Sequence, residues 1–425
     1  MSGFAEALLG TMGRTLLGII GPTTMETSTT ATATAYSNQR KVDRTQNGVL
    51  WAIHVRGFSC VANYSIDNGS TWTNNLSNWP LNSGGTTGDP SPNCSFFIDK
   101  DDYAHFVWKQ NTDYGSWVKG YIYYRRGTPN AERTEWTWSD ELEIGGTFTQ
   151  NDYSDIVAHR EGTGWVAHVV SSFIYSATNE DYVRYSRIGI TSEGSLSFDS
   201  NNYINSSYGN TNHKWPSIDF NHTGDGKTVA GGTPHLYVAW SAGDTGAGLG
   251  IRFKKATYSG SSWTWGAERE ISPDHYVAAH NYLNCLFDGT RVIIGGNLYD
   301  GGYYSLLFWE RDVDDTATSS TIYLVDNGPD GNDTSQFGAR GSITYDSEEN
   351  LYFWGLGGGS PWKLVGWKWT RASLNAAVIY EESLNINSYG SNVSAKRGYS
   401  NSRIEFIYTD GTESPYDINF YGMDT

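Results

Sequence analysis

Apolar and polar positions along this chain repeat as a two-strand unit. A strand rises from a polar loop, a turn bearing Asp, Asn or Gly follows, and a second strand rich in aromatic residues returns. The unit occurs as "RTQNGVLWAIHVRG" from Arg44, "CSFFIDKDDYAHFVWKQ" from Cys94 and "SDIVAHREGTGWVAHVVSS" from Ser154. It continues as "PSIDFNHTGDGKTVAGGTPHLYVAWSAG" from Pro216, "NYLNCLFDGTRVIIGGN" from Asn281, "GSITYDSEENLYFWGLGGG" from Gly341 and "KRGYSNSRIEFIYTD" from Lys396. A spacing of roughly 50 to 65 residues suits four-stranded units joined by long loops. Outer strands follow where that reading puts them, as "WVKGYIYYRRG" and "EWTWSDELEI" in the second unit and "LGIRFKKATYSGSSWTWGAEREI" in the fourth.

One turn is more specific. In "YSIDNGSTWT", Tyr64 to Thr73, the residues Ser65, Asp67, Gly69, Thr71 and Trp72 fit S-x-D-x-G-x-T-W. The pattern resembles the Asp-box of BNR-repeat, sialidase-like β-propellers. Asp67 suits backbone NH groups across the loop, Gly69 suits a positive φ, and Trp72 opens the next strand, so the turn is structural. The related turn at Ser259 to Trp263 lacks the Asp. The expected fold is all-β: a seven-bladed propeller over 25–425, preceded by an apolar arm over 1–24. The last unit is one strand short. Ser28 to Tyr36, "STTATATAY", is read either as the strand that closes the ring or as a disordered linker.

The N-terminus is the exception to the strand pattern. Phe4, Ala7, Leu8, Met12, Leu16 and Ile19 recur at mostly helical spacing, which predicts a short amphipathic helix ending near Gly21-Pro22. Phe4, Leu8, Leu16 and Ile19 would dock the chain to a structural protein of a larger assembly, or pack locally. Arg14 interrupts any secretory h-region, and no apolar run reaches the length of a membrane span.

Composition narrows the ligand. With 29 Lys plus Arg against 46 Asp plus Glu, the net charge of −17 repels nucleic acid and anionic lipid. The 17 Trp and 29 Tyr supply flat rings for sugar faces. Trp117, Trp215 and Trp362 are the glycan-stacking candidates. Cys60, Cys94 and Cys285 have no close sequence partner, which excludes a C-x-x-C site. No H-E-x-x-H or EF-hand pattern offers a metal site, no G-x-S-x-G elbow is present, and no cofactor is expected.

In a propeller, the loops entering the innermost strands converge on one end of the central channel. The repeat register puts Arg44, Asn93, Asp152, His213 with Lys214 and Trp215, His280 with Asn281 and Tyr282, Arg340, and Arg397 with Tyr399 there. His213, His280 or Tyr282 could take a proton beside a uronate carboxylate neutralised by Arg340 or Arg397, the logic of a polysaccharide lyase. "NHKWPSIDF" and "AAHNYLNCLF" look similar to segments of BNR-type propeller lyases acting on ulvan-like polysaccharides. A sialidase would require an F-R-I-P segment, which this sequence lacks. The leading expectation is a non-enzymatic virion or surface-appendage propeller, displayed extracellularly, that docks through its arm and contacts host glycans. The alternative is a carbohydrate-active enzyme with a His/Arg/Tyr site at the channel mouth.

Overall fold

The computed structural model describes residues 20–30, 33–34, 39–57, 59–75, 93–113, 118–144, 150–175, 180–192, 194–205, 211–244, 248–272, 283–289, 291–300, 303–312, 321–325, 341–357, 363–370, 377–383, 393–397, 403–411 and 413–425. These residues form an all-β propeller whose strands fall into seven antiparallel sheets. The innermost strands run in chain order: Val42–Arg44, Cys94–Ile98, Gln150–Glu161, Thr211–Phe220, Asn284–Phe287, Ser342–Tyr345 and Ser394–Ala395. Each of these strands packs beside the next, and Arg403–Asp410 of the seventh sheet reaches back to Val42–Arg44 of the first. Apolar side chains lie between successive sheets. Trp51, Phe96 and Trp136 join the first sheet to the second, while Trp354 stacks on Phe406 with centroids 4.3 Å apart to join the sixth to the seventh.

The closing strand differs from the expectation. Ile20–Ser28, not Ser28 to Tyr36, is the outermost strand of the seventh sheet, antiparallel to Tyr416–Asp424. The expected helix end near Gly21-Pro22 therefore falls inside a strand. Register shifts between Ile20 and Thr23 and between Thr24 and Glu26 absorb the glycine and proline, which an edge strand tolerates. Met25 turns inward onto Ile418 and Phe420. The Thr-rich stretch has another task, because the chain must pass from the rim of the seventh sheet to the channel side of the first. Ala33 and Thr34 are buried on that route: the Ala33 carbonyl accepts from Val55 N at 2.9 Å, and Thr34 N donates to Thr409 Oγ1 at 3.2 Å. The helical arm expected before Ile20, with Phe4, Leu8, Leu16 and Ile19, lies outside the described residues.

The Asp-box turn is closed by its own side chains. Thr71 N donates to Asp67 Oδ1 at 2.8 Å, Gly69 N donates to Ser65 Oγ at 2.7 Å, and the Trp72 indole NH reaches the Gly69 carbonyl at 3.1 Å. Gly69 has φ 92°, and a Cβ there would stand 2.0 Å from Phe420 Cε1. Gly69→Ala is therefore expected to cost more than about 1 kcal/mol, read as a lower urea midpoint at unchanged m.

Candidate glycan site at the channel mouth

The innermost strands of the third and fourth sheets carry the same local irregularity near their starts. Opposite its partner strand, Gln150–Glu161 holds one extra residue between Asp152 and Ser154, and Thr211–Phe220 breaks register between Lys214 and Ser217. The residues thrown out are Tyr153, with φ 45°, and Trp215, with φ 51°. Aromatic residues seldom adopt a left-handed backbone, and bulges that hold one often re-aim a side chain at a functional site. The two half-buried rings lie 5.6 Å apart, tilted by 48°. Together they make a two-ring platform near the starts of the two adjacent innermost strands.

Two residues further along one strand and four along the other, the interior is filled by charge, at Asp155 and Asp219. Arg397 Nη1 donates to Asp155 Oδ2 at 2.7 Å and to the Ile218 and Cys285 carbonyls at 3.2 and 3.3 Å. From the first sheet's entry segment, Arg40 Nη2 donates to Asp219 Oδ1 at 2.9 Å and to the Ile218 carbonyl at 2.6 Å. Asp155 also accepts from Ser95 Oγ at 3.0 Å, Ser217 Oγ at 3.2 Å, and the backbone NH groups of Ile156 and Ile218, each at 3.0 Å. Asp219 accepts from Phe287 N at 2.8 Å and lies 3.3 Å from His222 Nε2. These bonds link six of the seven sheets across the axis and form the floor beneath the platform.

Burial works against every charge in this floor, and the partners decide the balance. For Asp219, burial alone would raise the carboxyl pKa, but the Arg40 charge, His222 and the Phe287 NH hold it well below the usual carboxylate range. Arg40 faces both Asp219 and Asp155, and their attraction outweighs desolvation, so its pKa rises. For Arg397, desolvation prevails over Asp155 and the pKa falls. One guanidinium has two carboxylates and the other chiefly one, which accounts for the opposite directions.

The predicted site residues separate accordingly. Trp215 stands in the bulge near the start of its strand, and the backbone of His213, paired with Ala242, lies two residues before it on the same strand. Lys214 is half-buried between them in sequence. Arg397 lies below the mouth in the floor, its side chain 1% exposed. Arg44 is at the far end of its strand, paired with Glu405, and so is not a mouth residue. His280, Tyr282, Arg340, Trp117 and Trp362 lie outside the described residues. Sequence reasoning missed Arg40, Asp155 and Asp219. Val42–Arg44 is only three residues long, too short to show a period, so the first unit was begun a strand late.

The three cysteines are all buried and free of disulfides. Cys60 and Cys94, far apart in sequence, hydrogen-bond through their thiols, with Lys41 Nζ 3.6 Å from Cys94 Sγ. Burial would raise the Cys94 thiol pKa, yet the Cys60 bond and the Lys41 ammonium hold it below its usual range.

No protein-family model and no curated protein matches the chain. Solved structures do. A protein of unknown function from Dyadobacter fermentans is similar at 10% identity and TM-score 0.50, covering 96% of this chain and 99% of that one. An α-L-arabinofuranosidase of Fusarium graminearum in complex with arabinobiose is similar at 9% identity and TM-score 0.47, over 80% of this chain and 93% of that one. Trypanosoma rangeli sialidase in complex with sialic acid is similar at 12% identity and TM-score 0.42, over 93% of this chain and 58% of that one. At such identities the likeness is one of fold. The named enzymes among these neighbours act on carbohydrates, and on that finding the expectation of a non-enzymatic virion or appendage propeller is corrected.

Proposed function

We propose that this protein is an extracellular carbohydrate-active enzyme whose site is the channel mouth, with Tyr153 and Trp215 as the sugar-stacking platform. The observation that supports this best is the pair of bulges in adjacent sheets, each holding an aromatic residue at positive φ. Flat rings take the apolar faces of sugars, and the long innermost strands carry polar residues, His213 and Lys214 among them, to the rim. His213 is the proposed acid–base group. His280, Tyr282 and Arg340, which the repeat register of the sequence assigns to the same level, are the proposed partners for an acidic sugar. We count each of the seven sheets as one blade of a single ring.

The test is to incubate the purified protein with acidic and neutral polysaccharides, following unsaturated-uronate absorbance and reducing ends together. A rise in both identifies a lyase; reducing ends alone identify a hydrolase. Trp215→Ala is expected to raise KM about tenfold, close to the 1.4 kcal/mol of one good aromatic contact. His213→Ala is expected to lower kcat by about 10²- to 10⁴-fold. The reading fails if no polysaccharide yields product, and Trp215→Ala leaves glycan binding unchanged.

A further inference from the structure

A different cluster lies toward the opposite end of the third sheet, with His159 and Glu161 about 20 and 26 Å along Gln150–Glu161 from Tyr153 at ~3.3 Å per residue. His159 and Glu161 point to one face of that strand, two residues apart. His168, opposite Val157 on the returning strand, is the diagonal neighbour of His159. The two imidazole Nε2 atoms are 3.0 Å apart, and Glu161 Oε1 is 3.5 Å from His168 Nε2 and 4.0 Å from His159 Nε2. Both histidines are fully buried, and the Glu161 side chain is 3% exposed.

The repeat shows what is unusual here. In the second sheet the equivalent positions hold Asp99, His105 and Tyr124, a simple relay with His105 3.0 Å from Asp99 and 2.9 Å from the Tyr124 hydroxyl. In the sixth sheet they hold Asp346 and Tyr352, bonded at 2.7 Å. In the fifth, Asp288 takes the acidic position. The third sheet keeps the tyrosine, as Tyr185, and the second-position histidine, as His168, but replaces the aspartate with His159 and adds Glu161 two residues on. Two neutral imidazoles and a carboxylate thus converge where other sheets pair one acid with one donor.

The outer partners suit ligation. His159 Nδ1 faces the Arg160 carbonyl at 3.1 Å, so it carries the proton and leaves the Nε2 lone pair directed inward. His168 Nδ1 lies 2.7 Å from the Tyr185 hydroxyl. Glu161 is aimed by the Trp263 indole NH at 2.9 Å and by Arg187 at 2.6 Å. Burial lowers the pKa of both imidazoles, which keeps them in the metal-binding neutral form. A tetrahedral ion with bonds of ~2.0–2.1 Å separates its donors by about 3.3 Å, close to the spacings found.

We propose that His159, His168 and Glu161 bind one divalent transition-metal ion of the Zn²⁺ class, which fastens the third sheet to the fourth through Trp263. The expectation of no metal site came from seeking helical H-E-x-x-H spacing. Here a hairpin brings the ligands together, and the sequence shows only H-x-E with a second His seven residues later.

The test uses full-length protein stripped with chelator, then dialysed against Zn²⁺ or Co²⁺. Near-stoichiometric uptake, a visible Co²⁺ band of tetrahedral type and a Zn²⁺-dependent rise in melting temperature are expected. His159→Phe keeps a buried ring but removes the imidazole donor, so the folded variant should lose all three signals. Tyr185→Phe should weaken Co²⁺ binding about 10-fold or more. Absence of stoichiometric metal in folded wild type, or equal Co²⁺ binding by folded His159→Phe, would overturn the proposal.

Discussion

Arg397→Met is expected to destabilise the fold by about 3–5 kcal/mol, read from urea unfolding, because it strands a carboxylate in the channel floor. Asp155 is fully buried, and Arg397 at 2.7 Å is its nearest cation. Arg40 brings its Nε only to 3.6 Å from the other carboxylate oxygen, and its carboxylate hydrogen bond, from Nη2, goes to Asp219. Methionine keeps much of the arginine volume, so the loss reports charge rather than a cavity. Asp155→Asn in the same background should recover part of it, and the double-mutant cycle isolates the pair. Unchanged stability with abolished catalysis would instead make Arg397 a substrate-contacting residue, as the sequence alone suggested.

The same floor gives a pH dependence. Asp219 has a folded pKa below its unfolded value, so the unfolded state binds more protons over that interval. Its stabilisation is complete above the unfolded pKa, about 3.9, and is lost as pH falls further toward the folded value. Unfolding midpoints should fall below about pH 4, and Asp219→Asn should flatten that fall.

Removing residues 1–28 is the second large effect expected. The truncation takes away the ladder from Ile20↔Gly422 to Ser28↔Tyr416 and uncovers Ile418 and Phe420. It also deletes the Ser28 Oγ bond to the Val55 carbonyl at 2.6 Å and the Glu26–Arg56 pair at 2.6 Å, which tie the seventh sheet to the first. Met25 alone is worth about 2–5 kcal/mol by comparison with buried Met→Ala changes. The bare edge of Tyr416–Asp424 should also promote association, seen by light scattering. A synthetic peptide of Ile20–Ser28 should restore the melting temperature in a concentration-dependent way. If removing residues 1–28 leaves the melting temperature unchanged, the closing role of this strand is wrong.

Much of the architecture was legible because it is local. Strand, turn and aromatic return recur with a period that four-stranded units require, and the Asp-box residues close their own loop within eight positions. Charge and composition restricted the ligand class in the same way. What the sequence determined by itself is the all-β repeat and the aromatic packing between sheets. Ring closure was decided elsewhere, since which N-terminal segment pairs with Tyr416–Asp424 depends on the apolar seat offered to Met25 by Ile418 and Phe420, some 390 residues away. The Arg40–Asp219 and Arg397–Asp155 bonds bridge 179 and 242 positions, and His159 meets His168 only across a hairpin. Buried charge has no period along a chain: its partners are chosen by which sheets face one another, and that is fixed only when the ring is formed.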